Sequence, residues 1–361
     1  MPEFRNLALN YFFAVCISLL MFCPKNCPAQ SAAEIQRSVD RLVYGELNVD
    51  MNRTPGFIVG IIAGDSTYTF AYGTTRKDTT LLPTPTNLFE IGSLTNIFTA
   101  RLINILCEEK VLDKTVSINN YLPDSLRNSE AQDITLAHLL THTSGLPRVP
   151  LGIGKTQSED NQPYAFYTKE MLGVYYRDFD FAEAKKGKYR FSHLGYALLE
   201  LIIEEQTGRD FAEVLAEKLP FPATKINLQA IDYQKLVSGH DKSHQATPPQ
   251  RYAAFASAVG LKSDLNDLLL LLRQNIDGTD YDSMQKQHSP TEMRKNTFVG
   301  EGWHIIRKSK RKPPIVLHTG ATSGYRAYMA FVKEARTGVV VLSNSEYALR
   351  GLGYFILEEL R

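Results

Sequence analysis

The chain has 361 residues, of which 43% are hydrophobic and 22% are charged, and its 40 basic residues nearly balance its 39 acidic residues. This composition is typical of a globular protein and excludes a nucleic-acid partner recruited by an overall basic charge. A chain of this length is expected to form about two domains, or one large domain with two lobes.

The first thirty residues have the pattern of a secretory signal peptide. Arg5 gives a weakly positive start, residues 7–23 are almost wholly apolar, and residues 24–30 form a polar exit with small residues. We therefore predict an exported protein that is cleaved near Ala29 or Gln30. The alternative is an uncleaved leader, whose apolar run is at the short limit for a membrane anchor and would be the only membrane contact.

Cysteine usage gives no disulfide framework for the mature chain. Three of the four cysteines lie in the leader, at positions 16, 23 and 27, which leaves Cys107 alone. Cys107 lies in an apolar helical pattern, where a buried structural thiol is expected rather than a reactive one. An exported chain without disulfides must be stabilised by its core.

The β-rich segments lie at the two ends of the mature chain. After a helical lead-in at residues 32–44, the runs 56–63 and 68–73 flank a Gly-Asp turn and predict an antiparallel hairpin. Matching β-rich runs occur near the C-terminus, before a closing helix at about residues 349–360. They are residues 302–306, 315–317, 325–331 and 338–343.

The middle of the chain has helical patterns, at residues 97–109, 136–140, 196–207, 210–219 and 265–274. This order predicts an α/β (α+β) fold, with a discontinuous antiparallel-sheet domain flanked by helices and an inserted helical domain. We expect the α/β lobe at about residues 31–95 and 275–361 and the helical lobe at about 96–274. The cleft between the lobes is the predicted binding site.

Two polar stretches are interpreted as surface features. Residues 153–163 are a predicted surface loop. The basic run 307–312 lies between two predicted strands, and a solvated hairpin tip is the favoured interpretation because charge is balanced elsewhere. A phosphate-binding patch is the alternative.

The segment Phe-Glu-Ile-Gly-Ser-Leu-Thr-Asn at residues 89–96 is a glycine-hinged entry into an apolar helix. Ser93 is the candidate nucleophile, and Asn96 lies on the same helix face because residues three apart are neighbours. A lysine at position 96 would be a base, whereas asparagine is not. Taken alone, the segment is also compatible with an ordinary helix N-cap.

The segment Leu-Leu-Thr-His-Thr-Ser-Gly-Leu-Pro at residues 139–147 resembles a turn of the serine β-lactamase and penicillin-binding-protein superfamily, in its class C-like esterase and D-alanyl-D-alanine peptidase branch. In that branch the turn is structural, so His142 is given no catalytic role. A zinc pair of His138 and His142 is the alternative, but the sequence offers no H-E-x-x-H glutamate and no third ligand. The Ser93 segment then resembles the family's S-x-x-K motif, with Asn96 in place of lysine.

A second motif, Tyr-Arg-Phe-Ser-His-Leu-Gly-Tyr at residues 189–196, resembles the family's Y-S-N-x-G-Y. The resemblance places Phe191 where the family has its catalytic tyrosine and His193 where it has asparagine. Phe191 has no hydroxyl to carry a proton. His193 is a candidate replacement base, since neutral imidazole accepts a proton near neutral pH, and the favoured alternative is a plain hydrogen-bonding role in the cleft wall.

The third motif, His318-Thr319-Gly320, resembles the family's H-T-G or K-T-G strand opposite the nucleophile. The resemblance implies that these three residues bind substrate and that this strand helps to form the oxyanion hole. Segments 300–303 and 258–268 resemble two further family segments, G-x-G-W and G-G-L-x-S-T-x-x-D-L. The resemblance covers most of the mature chain.

Two hypotheses of function follow. The favoured one is an exported, catalytically impaired relative that binds a small-molecule, peptide, cell-wall or acyl ligand in the cleft. The other is an active serine hydrolase of esterase or peptidase type, with Ser93 as nucleophile and His193 as base. Neither hypothesis calls for a cofactor, a metal or a nucleic acid, and the resemblance implies a periplasmic or extracellular location in a bacterium.

Overall fold

The computed structural model describes residues 31–153, 162, 164–182, 184–278, 291–309 and 311–361. The predicted leader and most of the predicted loop at 153–163 lie outside the described residues. The chain divides into two compact units, residues 1–37 and 38–361. In the first unit, the described residues include the start of helix α1 (Ala32–Asp40).

The second unit is organised around an eight-stranded antiparallel sheet in the order β2-β1-β12-β11-β10-β9-β8-β7. The predicted hairpin is confirmed, because β1 (Gly56–Ala63) pairs with β2 (Ser66–Gly73). Strand β1 also pairs with β12, so that the N-terminal and C-terminal β-rich segments form one sheet. The remaining strands of the sheet are β7 (Thr291–Arg294), β8 (Thr297–Val299), β9 (His304–Ile306), β10 (Ile315–Thr322), β11 (Tyr325–Val332) and β12 (Thr337–Ser343).

The chain between β2 and β7 is mainly helical, and it also contains the short strands β3 (Phe89–Glu90), β4 (Gly239–His240), β5 (Ala246–Thr247) and β6 (Lys262–Ser263). The sequence predicted five of its helices. Those five are α2 (Thr95–Glu108), α3 (Leu136–Leu140), α5 (His193–Thr207), α6 (Phe211–Lys218) and α9 (Leu265–Asp277). The sequence missed α4 (Lys169–Arg177), α7 (Ala230–Lys235) and α8 (Ala256–Val259), and the closing helix α10 is Leu352–Leu360.

One continuous apolar core joins the sheet to the helices of the second unit. It includes Ile58 and Val340 from the sheet and Ile97 and Leu198 from α2 and α5, all with at most 1% of their surface exposed. Helix α5 is buried on nearly every face, which its run of apolar residues explains. The α/β (α+β) fold is thereby confirmed, whereas the lobe boundaries stay a prediction.

A buried ionic network fixes the turn before β9 against α2. The Lys114 ammonium lies 2.9 Å from Glu301 Oε1, and their side chains are 4% and 0% exposed. The Asn104 amide donates to Glu301 Oε2 at 2.9 Å and accepts from Lys114 at 2.7 Å. Every charged group in this network is therefore hydrogen-bonded, as burial of an ion pair requires.

Residues 307–309 and 311–314 connect β9 to β10, which pair directly. Lys308 forms an ion pair with Glu358, at 3.1 Å, and its ammonium lies over the Tyr354 ring. Arg311 and Lys312 are exposed. This arrangement favours the predicted hairpin tip over a phosphate-binding patch.

Candidate functional site

Ser93 lies in a single 3₁₀ turn, Gly92–Leu94, that leads directly into α2, and only 9% of its surface is exposed. Thr95 holds this turn. Its hydroxyl donates to the Gly92 carbonyl at 2.6 Å and accepts from the Leu261 N–H at 3.2 Å. Ser93 is therefore not the side chain that caps the helix, and the ordinary N-cap interpretation does not explain it.

The serine turn packs backbone to backbone against β10. A Cβ atom at Gly320 would lie 1.8 Å from the Ile91 carbonyl oxygen, and one at Gly92 would lie 2.5 Å from the Ala321 nitrogen. Gly92 also has a positive φ of 51°, which disfavours any other residue. The two glycines thus allow the predicted substrate-binding strand to reach the predicted nucleophile.

Asn96 follows on the first turn of α2 and is wholly buried. Neither its Oδ1 nor its Nδ2 atom has a hydrogen-bond partner. A buried polar group without a partner costs about 1–3 kcal/mol. Such groups are rare in folded proteins and concentrate at sites whose residues are selected for something other than stability.

Phe191 and His193 lie at the start of α5, where the segment is tied to the turn at residues 144–148. The Ser192 hydroxyl accepts from the Gly195 N–H at 2.9 Å and donates to the Pro147 carbonyl at 2.7 Å. The Arg148 carbonyl accepts from the His193 and Leu194 N–H groups at 2.8 and 3.1 Å. The first turn of α5 therefore has its backbone donors satisfied by its own N-cap serine and by one neighbouring segment.

The His193 ring is 3% exposed, and its Nδ1 is buried without a hydrogen-bond partner. Burial, and then the charge of Arg148, lowers the pKa of His193 from 6.5 to about 3. Within the described residues, no hydrogen bond joins His193 to the Ser93 hydroxyl. Its role as a replacement base stays a prediction.

His142 has a structural position. It is 2% exposed, its Nδ1 accepts from the Ser192 N–H at 3.2 Å, and its ring lies 4.5 Å from that of Phe191. His138 instead contacts Thr135 through Nδ1, in a capping box at the start of α3. Among the residues that the structure describes, no group of three His, Cys, Asp or Glu side chains is arranged to hold a metal ion.

The three residues of the H-T-G motif do not share one face of β10. His318 and Gly320 are buried, whereas Thr319 is exposed, as the two-residue alternation of a strand requires. Gly320 adjoins the serine turn. Thr319 and Ala321 line a cavity of about 440 Å³ with residues of β11, with Leu349 from the segment before α10 and with Leu352 at the start of α10.

The sequence analysis did not single out His304 or Tyr189. His304 packs on His318, and Tyr189 contacts His304. The His304 and His318 rings stack at 4.9 Å with an interplanar angle of 14°, and the Tyr189 hydroxyl lies 3.4 Å from His304 Nε2. Burial lowers the pKa of His304 to about 4 and that of His318 to about 3. His304 directly follows the G-x-G-W segment at residues 300–303, and this position is the signal in the sequence that could have identified it as a site residue.

A second missed pair lies behind the serine turn. Glu90 and Lys262 are paired across β3 and β6 and are 2% and 5% exposed. Glu90 Oε1 accepts from the Gln250 N–H at 2.6 Å, and the Lys262 ammonium donates to the Gln250 carbonyl at 3.2 Å. Burial raises the pKa of Glu90 and lowers that of Lys262. Their contacts anchor the strand that enters the turn.

The sheet, the serine turn and the strand against it define a serine-hydrolase fold, and comparison with known proteins identifies its family. The sequence profile of the family described as "Beta-lactamase" matches residues 37–358. The chain is 25% identical to a β-lactamase of Providencia stuartii over 350 residues, which cover 86% of each protein. It is 21% identical to the D-alanyl-D-alanine-carboxypeptidase/endopeptidase AmpH of Escherichia coli K12 over 333 residues, which cover 85% of this chain and 82% of AmpH.

Solved structures show the same fold. A class C β-lactamase superposes with a TM-score of 0.79 at 22% identity, covering 92% of this chain and 98% of its own. A β-lactamase/D-alanine carboxypeptidase from Pseudomonas syringae superposes with a TM-score of 0.76 at 22% identity, covering 90% of this chain and 99% of its own. The chain therefore belongs to the β-lactamase family. No helix among the described residues is both long enough and apolar enough to cross a membrane.

Proposed function

We propose that this chain is an exported, catalytically impaired member of the β-lactamase family that binds a peptide, cell-wall or acyl ligand at the Ser93 site. The observation that carries the proposal is Asn96, a buried amide at the position of the family's lysine. An amide does not titrate near neutral pH, so it cannot take the serine proton. The proposed nucleophile is thus kept without its usual base.

The second proton carrier is also replaced in the proposal. Phe191 stands at the position that the resemblance assigns to tyrosine, and it packs on His142 rather than presenting a hydroxyl. General acid–base assistance is worth roughly 10²–10⁴-fold in rate. The absence of both carriers therefore predicts hydrolysis far below that of an ordinary family member.

The alternative is an active hydrolase in which His193 is the base, and its unpartnered Nδ1 is the observation that favours it. Two features weigh against this function. A base whose pKa is near 3 takes a proton poorly at neutral pH, and burial of the ring opposes the charge that it would acquire. Binding is therefore favoured over turnover.

Ligand binding is supported by the space beside β10. The cavity of about 440 Å³ at Thr319 and Ala321 falls within the size range of small-molecule pockets, about 300–1,000 Å³. It borders the same strand whose Gly320 touches the serine turn. The cavity and the serine turn lie on opposite faces of β10, so a ligand bound at Ser93 would have to extend around this strand to occupy the cavity as well. Export rests on the leader pattern of the first thirty residues.

Intact-mass analysis of the purified mature protein tests the proposal. The protein and its Ser93→Ala variant are incubated separately with a fluorophosphonate and with a penicillin. We expect no adduct on the parent, because Ser93 is not activated. A stoichiometric adduct that is absent from Ser93→Ala would overturn the claim of impaired catalysis and leave the active hydrolase as the function.

A further inference from the structure

Arg148 is a cation close to Phe191 and His193 that is not part of the family motifs described above. The Arg148 guanidinium lies over the Phe191 ring, 5.2 Å from its centre. Arg148 is exposed, Phe191 is partly buried and His193 is 3% exposed, so the three side chains form a path from solvent to the buried imidazole. Phe191 and His193 are in edge contact, with ring centres 5.0 Å apart.

No acidic side chain among the described residues pairs with Arg148. Within the described part of the chain it forms no ion pair, whereas Arg53, which lies over Tyr347 in the same way, is paired with Asp50 at 3.3 Å. The positive charge of Arg148 acts on the buried His193 ring and, after burial, further lowers its pKa. It acts in the same direction on the pKa of Tyr164 and of Tyr189.

Among the residues that the structure describes, the charges that act on this group of rings are positive. Arg294 is exposed; after burial, its charge further lowers the pKa of His304, and it opposes the rise that burial causes in the pKa of Tyr189. Among the described residues, no carboxylate acts on His193, His304 or His318 to raise its pKa against the effect of burial. The net charge of the whole chain is only +1. Arg148 and Arg294 therefore form a local excess of positive charge beside neutral histidine and tyrosine rings, and such an excess attracts anions.

We propose that Arg148, supported by Phe191, binds an anionic group of the ligand in front of the buried His193 ring. Planar guanidinium groups recognise carboxylates and phosphates and stack on aromatic rings at the same time. At the position where the family has a tyrosine, Phe191 would then support the Arg148 cation instead of carrying a proton. The inference rests on the proposed function, because it assigns the charge of the ligand that the site binds.

The test uses benzoate and its neutral isostere benzamide as probes of the isotope-labelled protein. Benzoate at millimolar concentrations is expected to give saturable NMR shifts at residues 191–194, and benzamide is expected to give none there. Arg148→Ala should weaken benzoate binding about fivefold or more, which corresponds to one partly exposed ion pair. The matched control Arg53→Ala should leave benzoate binding unchanged.

Reversing the charge at position 148 gives a second, more specific test. Arg148→Glu should abolish the benzoate shifts and produce shifts with the cation benzamidine. The Arg148 carbonyl that caps α5 belongs to the backbone, so these substitutions leave the cap in place. Equal responses to benzoate and benzamide, benzoate binding that survives Arg148→Ala, or no saturable benzoate shift would each overturn the inference. None of these outcomes depends on whether Ser93 reacts, so the proposed function is tested separately.

Discussion

Ser93 and Asn96 are three residues apart at the start of one helix, yet no hydrogen bond joins their side chains. Both polar atoms of the Asn96 amide are buried without a partner. The amide three residues after the proposed nucleophile therefore makes no hydrogen bond, either to the Ser93 hydroxyl or to another described group. The first prediction follows from that relationship.

Asn96→Leu should stabilise the protein by about 1–3 kcal/mol, because an apolar side chain of similar size removes two unsatisfied polar atoms. Urea unfolding measures the change in the free energy of unfolding. The matched control is Asn104→Leu on the same helix, which should destabilise the protein because the Asn104 amide is bonded to Ala100, Lys114 and Glu301. A destabilised Asn96→Leu variant would mean that the Asn96 amide has a stabilising partner.

Lys114→Met should cost about 3–5 kcal/mol, since it leaves the wholly buried Glu301 carboxylate without its cation. The double variant Lys114→Met/Glu301→Gln should recover much of that loss, because the uncompensated charge is gone. A double-mutant cycle by urea unfolding measures the coupling between the two residues. Additive losses in the cycle would contradict a coupled ion pair.

Gly320→Ala should destabilise the protein by more than about 2 kcal/mol and loosen the serine turn, because the added methyl group meets the Ile91 carbonyl at 1.8 Å. Hydrogen exchange at residues 91–95 should increase with it. Gly45→Ala is the control, because a Cβ there meets no atom within 4 Å. Equal stability of the two variants would disprove the close approach of β10 to the turn.

Stability should fall steeply as the pH drops below about 6.5. The pKa values of His193, His304 and His318 are lowered to about 3, 4 and 3 in the folded chain. Between about pH 6.5 and pH 4 the unfolded chain binds protons that the folded chain excludes, so each histidine removes about 1.4 kcal/mol per pH unit. Above about pH 7.5 all three are essentially neutral in both states, and their contribution no longer changes with pH.

Fluorescence of Trp303, the only tryptophan in the sequence and wholly buried, reports this acid transition. His304→Phe should move the midpoint to lower pH, because it removes one group that must stay neutral. His244→Gln, at a ring that contacts Tyr347 outside the cluster, should leave the midpoint unchanged. An unchanged midpoint in His304→Phe would show that the histidine cluster does not control acid unfolding.

The sequence predicts the parts of the fold whose pattern is strong. The apolar runs of β1, β10, β11 and β12 and the apolar helices α2 and α5 are found at or near their predicted positions. Strands β7 and β8 were missed because they are short and alternate polar with apolar residues. Local pattern carries no information on such elements, since their pairing with the sheet decides their conformation.

The candidate site also contains residues that a local sequence motif marks and residues that only the folded chain brings together. Motif order located Ser93, Asn96, Phe191, His193 and the H-T-G residues, because each lies in a short, recognisable segment. It did not locate the stacking of His304 on His318 or the contact of Tyr189 with His304, whose residues are brought together only by the folded chain. The motif also gave no information on which face each residue takes, and in the folded strand Thr319 lies on the opposite face from His318 and Gly320.

The central claim is that the serine turn is intact and lacks only its proton carriers. The most direct test restores them in Asn96→Lys/Phe191→Tyr and measures fluorophosphonate and penicillin adducts by intact mass, with Asn96→Lys/Phe191→Tyr/Ser93→Ala as control. We expect labelling of the double variant, none of the parent and none of the triple variant. Labelling of the parent at Ser93 to the same extent as the double variant would contradict the claim, and so would a folded double variant that stays unlabelled.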